Sequence, residues 1–503
     1  MPCALIIFED EHLLVINKPA GVNTHAPSPF AGEGIYEWLK NREPRWATLA
    51  IIQRLDKETS GVMVFGKTPL ANRSLTEQFT NRSVKKKYLL LTKADVSFRE
   101  VTVKSTLSRV GDKYVSRPAK PGDELAETLF RVVEKSEHGT LVEAKPVTGR
   151  THQIRVHAAA NQFPILGDVL YGGTAFQRVC LHAAELSFAH PATEETMTFA
   201  APPDFLGSAR ITIRESTINL AETNSFRLIH GASDGWPGWY VEKLGDYLLS
   251  QSENALSPEQ NKLLHEHVTR LSLHGVYHKS LNRHVRGSNV KDACPQLLIG
   301  EKATEEFTIR ENGIRFGLSF DEGYSVGLFL DQRENRRRFL THYVAPDFSL
   351  PETYEVLNTF AYTCGFSVCA AKGGARTTSL DLSKKYLEWG KRNFALNGLS
   401  TEGHDFIFGD VFDWLRRLGK KGRAFDAIVL DPPTFSQSKE SGVFRAEKDY
   451  GKLIQVALPL LKPKGVFLAS TNCATLEPEK FLEMIHAPIA ASGRKILQQQ
   501  YVP

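Results

Sequence analysis

Four carboxylates in this chain stand where neighbouring residues could put them to chemical use. In "QRLDKETSG", Gln53 to Gly61, Asp56 lies two residues beyond Arg54 and directly before Lys57, just after the apolar run Leu49 to Ile52. A guanidinium so close can pair with the carboxylate, depress its pKa and keep it ionised, as a nucleophile must be. The same residues also make a polar turn, so the nonapeptide alone leaves both readings open. In the second half, "EVLNTFAYTCGFSVCAAKGGARTTSLD" reads as a strand, a loop and a helix, then a second strand ending at Asp381. An acid placed there takes the ribose hydroxyls of a nucleotide ligand. The spaced glycines of a dinucleotide fingerprint are missing, so S-adenosylmethionine, which carries no pyrophosphate, fits better than NAD. Asp431 follows the apolar "FDAIVL" and opens "DPPTF", at the carboxyl end of a buried strand where open α/β sheets bind ligands. Asp410, in "FGDVFDWL", suits an adenine-contacting acid and equally a helix N-cap.

The elements that must carry these residues change character along the chain. A length of 503 residues exceeds what one hydrophobic core supports, so several domains are expected. Up to about residue 210 the chain reads as short β-rich runs ("LLVINK", "GVMVFGK", "KYLLLTK", "LVEAKPV", "ELSFAH") between Gly, Pro and charged turns, a mostly-β α+β domain. "HPATEETMTFAAPPDF" has the composition of a boundary, and residues 211–225 read as a linker. Residues 226–325 read as a small α+β domain around the helix "SPEQNKLLHEHVTRL". Residues 326–503 read as an α/β Rossmann-like domain in which strand, turn and amphipathic helix alternate around a parallel sheet.

Net charge is only +5, but Lys85–Lys87, Arg336–Arg338 and "RRLGKKGR" (Arg416 to Arg423) concentrate positive charge, either as solvated faces or as phosphate contacts. The six cysteines, Cys3, Cys180, Cys294, Cys364, Cys369 and Cys473, form no CxxC pair and no zinc-clamping spacing, which fits a reducing cytoplasm and no metal. No uncharged apolar run is long enough to span a bilayer, and the N-terminus has no basic leader, so neither membrane anchor nor signal peptide is expected.

"VINKPAGVNTH", "RLDKETSG", "TGRTHQIRVH", "ILGDVLYGG" and "LHAAELSFAHP" occur in order across residues 1 to 205. Together they resemble the RluA-type pseudouridine synthases, with one departure, Gln53 where that family usually has His. The resemblance implies a pseudouridine synthase fold that isomerises uridine in RNA without cofactor or metal. Asp56 would be the nucleophile, Tyr88 in "KKKYLLL" the active-site tyrosine against the base, and Arg155 the basic partner of the aspartate. Arg54 would fill the gap left by the flipped base. The small RNA-binding domain often found ahead of such domains is not expected here.

From about 226 to 485, "FRLIHGASDGWPGWYVEKLGD", "GLFLDQRENRR", "LNTFAYTCGFSVCAAKGGA", "YLEWGKRNFALNGL" and "DPPTFSQSK" are similar to the RlmI- and RlmK-like methyltransferases of large-subunit ribosomal RNA. The resemblance implies a class I fold in which Asp331, Gln332 and Arg333 close one side of an S-adenosylmethionine pocket. Phe360, Tyr362, Gly365, Asp381, Asp410 and Asp431 would line the rest. Methylation at cytosine carbon 5 needs a thiolate. Cys473 in "LASTNCATLEP" is shifted from the family's cysteine, and other motifs look more like the guanine-N7 enzymes, so Cys473 is given no catalytic role. After "GRKILQQQYVP" the chain ends where the resemblance leads one to expect a final hairpin.

The expectation is a bifunctional RNA modification enzyme, isomerase and methyltransferase, acting on ribosomal or transfer RNA. Its rival is an RNA-binding or ribosome-assembly protein with one or both sites inactive.

Overall fold

Leu13–Lys18 and Ser60–Gly66 are buried at every position, as continuous apolar runs are when a strand is covered on both faces. The computed structural model places them side by side in a large sheet of the first of two units, Met1–Ile218 and Asn219–Pro503. It describes residues 5–27, 34–120, 122–207, 209–281, 294–323, 325–351, 354–438 and 442–500.

The sheet of the first unit has 11 strands and is antiparallel apart from one pairing near its middle, where Ser60–Gly66 runs parallel to Leu181–Ala189. Gly61 permits that approach: a Cβ there would lie 2.3 Å from the carbonyl oxygen of Ala183, and its φ of +120° disfavours other residues. The loop carrying Asp56 leads directly into this strand. Next in order come Lys85–Thr92 and Gly139–Pro146, so Tyr88 stands between Ala183 and Ala144, two small neighbours that leave room for its ring. Helix Gln153–Ala160 contributes Arg155. A helix, Ala209–Ser216, covers the start of the segment expected as a linker, and the division between the two units falls within that segment.

In the second unit, strands Ser225–His230, Trp239–Leu244, Tyr247–Ser252, Gly275–Ser280 and Gln296–Gly300 form one sheet in that order. Helix Pro258–Leu271 begins with a capping box in which Ser257 and Gln260 satisfy each other's backbone N–H groups. Beyond a hairpin, Phe307–Glu311 and Ile314–Leu318, lies a wholly parallel sheet ordered Asp405–Phe408, Arg376–Asp381, Glu355–Thr359, Phe425–Leu430, Leu461–Ala469. Alternate residues of Phe425–Leu430 feed two cores. Ala427 and Val429 pack with Phe366 and Ala370, while Ile428 and Leu430 pack with Leu415 and Leu453. Successive strands depart from Glu355–Thr359 in opposite directions, and the carboxyl ends at that switch point form a crevice. Among the described residues Leu461–Ala469 is an edge strand of this sheet.

One expectation fails here. Arg336 and Arg337 are neither a solvated face nor a phosphate contact: both are buried, and Arg336 forks onto Glu311 at 2.7 and 2.8 Å. The guanidinium is spent inside the fold because Glu311, 1% exposed on the preceding hairpin, requires a cation.

Candidate functional sites

The loop around Asp56 is held from below by the "NKPAGVNTH" segment. Thr24 Oγ1 accepts from the Leu55 N–H at 3.2 Å and donates to the Leu55 carbonyl at 2.8 Å, while the Gly21 N–H donates to the Lys57 carbonyl at 2.7 Å. The Lys18 ammonium, fully buried, donates to the carbonyls of Pro19, Val22 and Lys57. Burial draws its pKa down to about 7 against the opposing pull of Asp56 and Glu58.

Asp56 keeps about a quarter of its side chain accessible, and its Oδ2 lies 3.6 Å from Arg155 Nη1 and 3.8 Å from His152 Nε2. Arg155 is fixed by Asp168, to which Nε and Nη2 donate at 2.7 and 2.8 Å, and its guanidinium lies over the Tyr171 ring at 5.1 Å. Nη1 is thereby left facing Asp56 and Glu58. Tyr88 is half-buried, and burial first, then the charge of Asp56, push its hydroxyl far above the ordinary tyrosine range, so it stays a neutral phenol. Arg54 is exposed and makes no hydrogen bond or ion pair among the described residues. Asp56, Tyr88 and Arg155 thus share one site, and the cation that faces Asp56 is Arg155 rather than Arg54. His152, Glu58, Asp168, Tyr171 and Lys18 are further members, each inside a quoted motif but not singled out in it.

Of the basic run before Tyr88, Lys85 is exposed, Lys86 turns inward toward the Thr148 carbonyl, and Lys87 pairs with Glu185.

In the second unit, Glu355–Thr359 runs into a loop where Phe360, Tyr362 and Cys364 all take left-handed φ values of 54°, 49° and 62°. Non-glycine residues in this region cost on the order of 1 kcal/mol each, and such strain collects at ligand sites. The loop turns the Tyr362 N–H onto Asp381 Oδ2 at 2.8 Å, while Oδ1 accepts from the Ser383 N–H at 2.8 Å. Burial raises the pKa of Asp381, and that of Asp431 likewise. Asp431 accepts from Ser470 Oγ at 2.5 Å, and Gln332 Nε2 donates to the same Oγ at 3.2 Å, so the Asp331–Gln332 turn is tied to the "DPPTF" loop. Asp331 is exposed, and Arg333 pairs with Glu334. Gly365 opens helix Gly365–Lys372, where a Cβ would sit 3.0 Å from Leu328.

A cavity of about 510 Å³ opens beside this crevice, between Phe360, Leu382, Asp410 and Phe412 on one side and the hairpin strands Phe435–Ser438 and Gly442–Arg445 on the other. Asp410 caps a helix and lines this cavity. Oδ1 caps helix Val411–Lys420 through the Asp413 N–H at 2.9 Å, and Oδ2, on the cavity wall, accepts from Ser438 Oγ at 2.6 Å. Only Phe360 and Asp410 of the nine expected cofactor residues line the cavity. Asp381 adjoins it through Leu382, whereas Asp331, Gln332, Arg333, Tyr362, Gly365 and Asp431 lie outside its lining. Leu382, Phe412 and Phe360 offer apolar faces and Asp410 an acceptor, a lining that suits an adenosine moiety, and the volume is of ligand size. Cys473 is buried with its Sγ 3.3 Å from Thr475 Oγ1, whereas its neighbour Asn472 accepts from Thr434 of the "DPPTF" loop at 2.8 Å.

Among the described residues no group of three or more His, Cys, Asp or Glu could hold a metal, and no helix is long and apolar enough to cross a membrane.

Two family profiles match. One, described as RNA pseudouridylate synthase, covers residues 12–160, and the other, described as S-adenosylmethionine-dependent methyltransferase, covers residues 226–495. A ribosomal RNA large subunit methyltransferase of Deinococcus radiodurans is 34% identical over 293 residues, 56% of this chain and 69% of that protein. A ribosomal large subunit pseudouridine synthase C of Yersinia pestis is 42% identical over 214 residues, 40% of this chain and 65% of that protein. The solved structure of SMU.776, a methyltransferase candidate complexed with SAH, is 28% identical with a TM-score of 0.50, covering 63% of this chain and 82% of that one.

Proposed function

The chain belongs to the S-adenosylmethionine-dependent methyltransferase family and carries an RNA pseudouridylate synthase domain on the same polypeptide, and from that premise we propose one enzyme that performs both modifications on large-subunit ribosomal RNA. The ribosomal substrate is taken from what the relatives are named for. The buried free thiols of Cys180, Cys294, Cys364, Cys369 and Cys473 suit a reducing cytoplasm.

The observation that carries the first activity is the Asp56 carboxylate facing, at 3.6 Å, a guanidinium that Asp168 has already locked. Asp56 attacks the target nucleotide, and the bond from C1′ to N1 breaks. The freed uracil turns within the site, C5 attacks C1′ and expels the Asp56 carboxylate, the C5 proton leaves to solvent and N1 gains one. Tyr88, a neutral phenol, packs against the base and can donate but not accept a proton at ordinary pH. Arg54, a cation at the rim with no partner among the described residues, takes the space of the extruded nucleotide.

S-adenosylmethionine supplies a methyl group made electrophilic by its sulfonium. In this chain Leu382 and Phe412 would hold the adenine and Asp410 would accept from its amino group, while Asp381, next to the cavity-lining Leu382, would accept from the ribose hydroxyls. Asp431 and the prolines after it form the wall toward the incoming base, stiffened by the bond from Ser470.

Two variants test the pair of assignments. Asp56→Asn is expected to remove pseudouridine formation on a 23S ribosomal RNA transcript while RNA binding persists. Asp381→Ala is expected to weaken S-adenosylmethionine binding at least about tenfold by calorimetry. Full pseudouridine formation by the first, or an unchanged affinity of the second, refutes the corresponding half.

A further inference from the structure

We infer that His152 is a positioning residue for Asp56, its Nε2–H directed at Oδ2 because Tyr171 fixes the ring in that tautomer, which leaves Oδ1 to attack. This deepens the reading of Asp56 as nucleophile and rests on it.

The inference follows from two hydrogen bonds and one longer contact. The backbone N–H of Tyr114 donates to Tyr171 Oη at 3.0 Å, so the phenol oxygen is an acceptor there. Its hydroxyl proton is then free to donate, and His152 Nδ1 lies 2.7 Å from Oη. In the inferred arrangement Oη donates to Nδ1, and in a neutral imidazole the proton then sits on the other nitrogen. That nitrogen, Nε2, is the one 3.8 Å from Asp56 Oδ2. Were the tautomer reversed, an Nε2 lone pair would face the carboxylate, and the two would repel.

The ring has little freedom to do otherwise. His152 sits at the start of helix Gln153–Ala160 with a left-handed φ of 55°, a conformation costly for a residue with a Cβ. The rings of Tyr114 and Tyr171 meet it edge-on at centroid distances of 5.7 and 5.6 Å. The charged groups around it are Asp56, Glu58, Asp168 and Arg155, and burial, the largest influence, lowers its pKa and keeps it neutral. Arg155 Nη1 makes its closest approach to the same oxygen, Oδ2, at 3.6 Å. Two donors thus converge on one oxygen of the carboxylate. At 3.8 Å the histidine contact is longer than a hydrogen bond, and bonds of this kind tighten when substrate fills the site.

The test is a double-mutant cycle on the full chain, read as tritium released from a 23S ribosomal RNA transcript labelled at uridine C5. His152→Leu is expected to lower kcat about tenfold or more with KM within about twofold, the signature of an interaction made in the transition state. His152→Gln, whose amide N–H reaches the Nε2 position, is expected to restore most of that loss. Tyr171→Phe keeps the ring under Arg155 and removes only the hydroxyl. On its own it is expected to lower kcat about tenfold, and combined with His152→Gln to lower it no further, because an amide has no tautomer to fix. Equal losses from Tyr171→Phe in both backgrounds, or an unaltered kcat in His152→Leu, would overturn the inference. Asp56→Asn in the same assay separates the two levels. Release at the unmodified rate defeats the nucleophile assignment itself, whereas an inactive Asp56→Asn with fully active His152 and Tyr171 variants defeats this inference alone.

Discussion

Arg155 and Asp168 meet inside the first unit through two parallel hydrogen bonds of 2.7 and 2.8 Å, with 3% and 1% of their side chains exposed. The pair fixes the plane of the guanidinium and aims its third nitrogen at Asp56, so Asp168 sets the direction of the cation that Asp56 faces. Asp168→Ala takes from a buried cation its two shortest bonds and leaves it only the longer carboxylate contacts with Asp56 and Glu58. It is expected to cost roughly 3–5 kcal/mol in denaturant unfolding and to depress pseudouridine formation together with stability. A variant of unchanged stability would show that Arg155 is held by something else.

A second buried pair makes the same kind of prediction for the other unit. Glu311→Ala strands Arg336 and is expected to destabilise the second unit by roughly 3–5 kcal/mol. Because Arg336 is buried, the salt dependence of RNA binding by the folded variant should keep its slope. A steeper slope would return Arg336 to the RNA surface.

His157 and His182 set a pH dependence. His157 lies between Ser105 Oγ and Thr128 Oγ1, and His182 between Ser60 Oγ and the Ala201 carbonyl. Burial lowers each pKa to about 4. Between that value and about 6.5 the unfolded chain binds more protons, so stability present above pH 6.5 is lost as pH falls toward 4. Each histidine should cost roughly 2 kcal/mol between pH 7 and pH 5. Urea unfolding of His157→Gln at the two pH values should show a smaller drop than the unmodified chain, and an identical drop would mean that His157 is not buried neutral.

Cys473→Ala addresses the methylated base. The thiol is buried against Thr475 while Asn472 faces the "DPPTF" loop, so methylation is expected to persist in the variant. Its loss with S-adenosylmethionine binding intact would identify Cys473 as the attacking thiolate.

What could be read from the sequence follows from how local each feature is. The parallel sheet announces itself because strand, turn and helix alternate with their own periods, and Asp381 and Asp431 fall at strand ends that such alternation locates. Asp56 and Arg155 sit in motifs dense with polar groups that a core does not need. The Arg336–Glu311 pair spans 25 residues and two element types, and no spacing rule joins them, so a run of three arginines reads as solvated when two of them are buried. The contact of His152 with Tyr171 is similarly invisible. Both residues lie in quoted motifs, but only the fold brings the end of one onto the start of a helix in the other. Asp410 shows a different limit, since one carboxylate serves as cap and cavity wall at once and sequence offers those roles only as alternatives.

The central claim is that one chain makes two separable changes to ribosomal RNA. Its most direct test is mass-spectrometric mapping of pseudouridine and methylated bases in 23S ribosomal RNA from cells lacking this gene, complemented with the unmodified chain, Asp56→Asn or Asp381→Ala. Deletion is expected to remove one or more pseudouridines and one methyl group. Asp56→Asn should then restore only the methyl group, and Asp381→Ala only the pseudouridine. Full restoration by both variants, or a deletion that leaves both kinds of modification in place, would contradict it.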